Sequence, residues 1–172
     1  EAWLENISDE VNVVRIYTQQ VPRRRMEPSY VMDAMDEAAL GSVFEEHVKD
    51  APLYLVDLRG YSRRGIELFT AEQLEDQYWK VVGFYAALGK ALGRIQSGVS
   101  IRYISVVSDV FGEDAVTFDP VAASALGFVQ TMQQEYVQLR GRLVDLPLDH
   151  PAANAKRLSG ELLSSDRESL TR

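Results

Sequence analysis

The sequence predicts an α/β fold in which a parallel sheet is flanked by helices, and three observations predict it. Segments rich in β-branched and aromatic residues alternate with segments whose apolar residues recur at helical spacing. The connections between them are short, with no internal repeat and no low-complexity linker. One run, Pro52-Leu53-Tyr54-Leu55-Val56-Asp57-Leu58, is nearly continuous in apolar residues, the pattern of a strand buried on both faces of a parallel sheet.

In chain order, Val11-Asn12-Val13-Val14-Arg15-Ile16-Tyr17-Thr18 reads as the first strand, followed by a loop through Pro22 and Arg23-Arg24-Arg25. Tyr30-Val31-Met32 is a short, weaker strand. A helix starts between Asp33 and Asp36 and carries Leu40, Val43, Phe44 and Val48 on one stripe. After the apolar run, which ends at Gly60, Thr70 and Gln73 stand in capping-box positions. The long helix beyond them has Leu74, Tyr78, Val81, Val82, Tyr85, Leu88, Ala91, Leu92 and Ile95 on its apolar stripe, and Gly98 ends it. Trp79, Phe84 and Tyr85 read as core. Val99 to Val107 is a strand with Ile101, Tyr103 and Ser105 alternating. A loop over 108–118 leads to Asp119-Pro120, an N-cap followed by proline at the first helical position. The helix from there to Tyr136 is expected to bury Ala122, Ala125, Leu126, Val129 and Met132. Arg142-Leu143-Val144-Asp145-Leu146 is a strand stopped by Pro147, and a last helix covers roughly Ala152 to Leu163.

The 172 residues suffice for one domain but not for two independent cores. We read residues 1–163 as that domain and 164–172 as a polar tail or linker toward a following domain. A net charge of −8 and a pI near 4.8 argue against nucleic-acid or anionic-membrane binding, both of which want a basic face. No apolar run approaches the ~18 residues of a membrane helix. With no cysteine, disulfides, thiolate metal sites and a cysteine nucleophile are excluded, which fits a reducing cytoplasm. Glu1-Ala2-Trp3-Leu4-Glu5 has neither a basic start nor an apolar signal core, and no initiator methionine, which suggests a processed product or a piece of a longer chain.

A doubly wound sheet invites a nucleotide site after the first strand, but a phosphate loop needs glycines so that the backbone can approach the pyrophosphate. Here the first strand is followed by Gln19-Gln20-Val21-Pro22 and three arginines. Gly83, Gly89 and Gly93 lie inside the long helix, where close packing is the better explanation. The only histidines, His47 and His150, are far apart and lack the converging ligands of a metal site; His47 suits a helix end. Arg23-Arg24-Arg25 and Arg63-Arg64 are read first as solvated loops, with phosphate recognition as the functional alternative. Glu45-Glu46 are adjacent on a helix and point apart, and Ser108 has no basic partner to activate it.

The region from Ile101 to Pro147 is similar to the second half of a short-chain dehydrogenase/reductase, a Rossmann-like fold. In that family a serine closes this strand, and a tyrosine and a lysine four residues apart on the next helix relay a proton. Carried over, Ser108 falls at the serine, Asp119 at the tyrosine and Ala123 at the lysine; a shift of one residue gives Pro120 and Ser124. Neither register supplies a phenol and an ammonium, and Tyr85 with Lys90 is spaced five apart. The dyad is missing. The chain more closely resembles the structural subdomain of a modular polyketide synthase ketoreductase. The residues that carry this are the strand Tyr103 to Val107, Asp119-Pro120, Ala122-Ala123, Gly127, Glu135 and Arg142-Leu143-Val144-Asp145-Leu146, with Leu53 to Gly60 and the polar turn at Asp33 and Asp36. Leu126 stands where that family has tryptophan, and its first strand and helix are absent or reduced to Ala2-Trp3-Leu4-Glu5-Asn6-Ile7, so the sheet is expected to be truncated at its N-terminal βα unit. The resemblance implies a non-catalytic scaffold with no catalytic, cofactor-binding or metal-binding residue of its own. An adjacent catalytic subdomain would hold NADPH and reduce a β-keto group on a chain carried by an acyl carrier protein. The alternatives are a free-standing inactive dehydrogenase-like protein with a regulatory or dimerisation role, and an enzyme working through Asp119 and Ser108.

Overall fold

The computed structural model of the chain describes residues 13–18, 29–48, 52–61, 70–95, 98–108, 110, 120–148, 150–163 and 170–171. Along them run β1 (Arg15–Tyr17), β2 (Ser29–Val31), α1 (Glu37–His47), β3 (Leu53–Gly60), α2 (Ala71–Leu92), β4 (Ile101–Val107), α3 (Pro120–Glu135), β5 (Leu139–Asp145), α4 (Pro151–Leu163) and β6 (Leu170–Thr171). The protein is an α/β fold with parallel sheets flanked by helices. β1 pairs with β2, Ile16 opposite Tyr30, and a second sheet has the order β3-β4-β5-β6. Every pairing is parallel.

Helix ends follow local chemistry. Asp36 is the N-cap of α1, its carboxylate accepting from the Ala39 amide at 2.9 Å. Thr70 and Gln73 close the expected capping box on α2, each side chain bonded to the other residue's backbone N–H. Pro120 opens α3 as its first residue, where a missing N–H costs nothing; Asp119 lies outside the described residues.

Strict alternation sorts β4 into two faces. Ile101, Tyr103, Ser105 and Val107 turn toward α1, α2 and α3; Ile101 and Tyr103 build the main core with Leu40, Phe44, Phe84, Leu88, Leu92, Val129, Met132 and Leu139, while Val107 packs with Val110, Ala125 and Leu143. Ile104 and Val106 turn the other way and pack with Val144 and Leu146 against Leu158 and Leu162 of α4. The sheet is therefore covered by three helices on one face and by α4 on the other. Central strands β4 and β5 hold its most deeply buried side chains, and each buried Leu, Ile or Val contributes about 1.5–3 kcal/mol of transfer free energy.

Several sequence expectations are corrected. The first strand is confined to Arg15–Tyr17 among the described residues, Val13 and Val14 being irregular. The long helix stops at Leu92, not at Gly98: Gly93 caps it and the chain tightens into three-residue turns, Arg94 N–H to Ala91 O and Ile95 N–H to Leu92 O. Gly98 lies in the following turn at φ +114°, a conformation that favours glycine. The strand read from Val99 begins at Ile101, and the one read from Arg142 begins at Leu139, because Leu139 and Gly141 already pair with Ile101 and Tyr103. Tyr136 lies one residue past α3, and α4 starts at Pro151. Of the α3 core set, Ala125, Val129 and Met132 are buried and Leu126 partly so, while the side chain of Ala122 is not among those described. The apolar run of β3 is not buried on both faces: Tyr54 and Leu58 are exposed, since β3 borders the larger sheet. Trp79, read as core, is 60% exposed, with Leu74 and Tyr78 also exposed; the buried part of α2 starts at Phe84. Within the stretch read as a polar tail, Leu170 and Thr171 pair with Leu143 and Val144.

Candidate functional site

The C-terminal ends of parallel strands are where α/β folds place ligands, and here they open onto a cavity of about 450 Å³. Thr18 follows β1, Asp33 to Met35 follow β2, Asp57, Arg59 and Gly60 end β3, Ser105 and Val107 end β4, and α2 closes the wall with Lys80 and Tyr85 among its residues.

The polar floor of this cavity is set by strand alternation. Leu53, Leu55, Asp57 and Arg59 share one face of β3, so a carboxylate enters the core two residues after Leu55. Asp57 is 8% exposed and accepts four hydrogen bonds. Arg59 donates from its backbone N–H at 3.1 Å, Nε at 2.8 Å and Nη2 at 2.7 Å, a bidentate side-chain pair made by residues two apart. Tyr103, fully buried on β4, donates its hydroxyl to Asp57 Oδ2 at 3.0 Å. The Arg59 guanidinium lies over the Phe84 ring. The register of β3 against β4 slips between Asp57 and Gly60, where a Cβ on Gly60 would stand 2.8 Å from a Val107 methyl and 2.9 Å from the Val106 carbonyl oxygen. Only glycine lets β3 pass there.

Tyr85 joins the cluster from α2. Its ring stacks on Phe128 at 4.2 Å between centroids, and its hydroxyl hydrogen-bonds Ser105. Burial, and then the negative charge of Asp57, push this phenol up to about 12. The same two causes hold the Tyr103 phenol well above its ordinary value. A tyrosine that relays protons to a substrate oxygen needs the opposite shift, toward neutrality. Asp57 is an acceptor whose lone pairs are spent on Arg59 and Tyr103, so it is poorly placed to act as a base.

The residues singled out from the sequence do not converge on this cavity. Tyr85 lines it, but Lys90 points elsewhere and pairs with Glu37 at 3.4 Å, so these two form no dyad. Ser108 follows β4; Ala123 belongs to the first turn of α3; Asp119, Arg23, Arg24, Arg25, Arg63 and Arg64 lie outside the described residues. Gly83, Gly89 and Gly93 face Met35, Met132 and the Tyr136 hydroxyl at close range, as the packing explanation requires. His47, the last residue of α1, does more than solvate a helix end: its Nε2 lies 2.7 Å from the Tyr30 hydroxyl, tying α1 to β2. Glu45 and Glu46 form no pair of facing carboxylates among the described contacts; Glu46 accepts from Tyr30 at 2.8 Å. Sequence reasoning passed over Asp57, Arg59 and Tyr103. The signal was available as one carboxylate in an apolar strand with an arginine two residues on, the same-face spacing of a strand. A scan against protein-family models and a search of curated proteins return no match to this chain.

Proposed function

We propose that this chain is the non-catalytic structural subdomain of a polyketide synthase ketoreductase. In this reading it holds an adjacent catalytic subdomain that reduces the β-keto group of a carrier-bound chain with NADPH. The observation that carries the reading is the direction in which the phenols at the sheet's C-terminal ends are driven. Tyr85 is pushed up to about 12 by burial and by Asp57, and the two lysines of α2, each five residues from it, are engaged elsewhere, Lys80 by Asp76 and Lys90 by Glu37. Asp57, Arg59 and Tyr103 satisfy one another where a reactive site would leave groups poised for substrate. The parallel α/β architecture is compatible with this reading, and the choice of family rests on the sequence resemblance between Tyr103 and Leu146. No helix among the described residues is long and apolar enough to cross a membrane, in keeping with a cytoplasmic assembly line.

Titrating the chain into NADPH and following nicotinamide fluorescence tests the reading. The expected result is no saturable change; saturation at micromolar chain concentrations overturns it. A complementary arm mixes the chain with polyketide ketoreductase catalytic subdomains, where recovered or enhanced keto reduction is the expected outcome.

A further inference from the structure

We draw no further inference here: the strongest candidate, the exposed apolar patch that Leu74, Tyr78 and Trp79 form on the first half of α2, is an unpartnered helix face, and nothing in the structure shows what covers it.

Discussion

Asp57 illustrates how one residue organises the end of a sheet. Its carboxylate binds Arg59 through both oxygens and takes the Tyr103 hydroxyl, all within a mostly buried cluster. Removing one partner of such a pair leaves the other charge poorly compensated, which is worse than never having built the pair. Asp57→Ala is expected to lower stability by about 3 kcal/mol, measured from urea unfolding. The tyrosines add a dependence on pH. Tyr85 titrates at about 12 in the folded chain against 10.0 as the ordinary value, so the folded state holds its proton more tightly. That contribution is fully present below pH 10 and is lost as pH rises toward 12, at up to about 1.4 kcal/mol per pH unit. Tyr85→Phe keeps the stacking on Phe128 and is expected to flatten this alkaline decline. Tyr103, raised in the same direction, keeps it from vanishing. Unfolding free energies measured between pH 9 and about 12 check both.

Among the elements, glycines separate packing from propensity. A Cβ on Gly141 of β5 would stand 2.7 Å from a Val129 methyl in the core between β5 and α3. Gly141→Ala is expected to destabilise by about 1–3 kcal/mol through overpacking. Gly127, exposed on α3, has nothing within 4 Å of the added methyl. There alanine removes only the entropic cost of a helical glycine, and Gly127→Ala is expected to raise stability by up to about 1 kcal/mol. The pair of variants, compared by thermal and urea unfolding, tests whether β5 is wedged directly beneath α3. A loss at both positions would contradict it.

At the scale of the whole molecule, stability is distributed unevenly across the sheets. β4 and β5 lie between three helices on one face and α4 on the other, tied further by the Arg142–Glu161 ion pair and the Asn154–Tyr61 hydrogen bond. β1 and β2 are three residues each and only partly buried. Hydrogen exchange is therefore expected to rank β4 and β5 near the global unfolding free energy, with the β1–β2 pair opening by a smaller, local event. Equal protection throughout would show that the two sheets unfold as one.

The sequence alone determined the fold class and most helix origins, because these rest on local physics. The capping box at Thr70 and Gln73, the proline opening α3 and the stripe of Leu40, Val43 and Phe44 act within a few residues. What only the tertiary structure decided depends on neighbours distant in the chain. The apolar run of β3 reads as doubly buried, yet Tyr54 and Leu58 are exposed because β3 borders the larger sheet. The stripe of α2 and its neighbour Trp79 read as core, yet Leu74, Tyr78 and Trp79 face solvent because burial of the helix starts at Phe84. The cluster of Asp57, Arg59, Tyr85, Tyr103 and Ser105 spans two strands and a helix, and its joint chemistry exists only where the parallel register sets Asp57 opposite Ser105. Periodicity tells each residue which face it takes; pairing and packing decide what waits on that face.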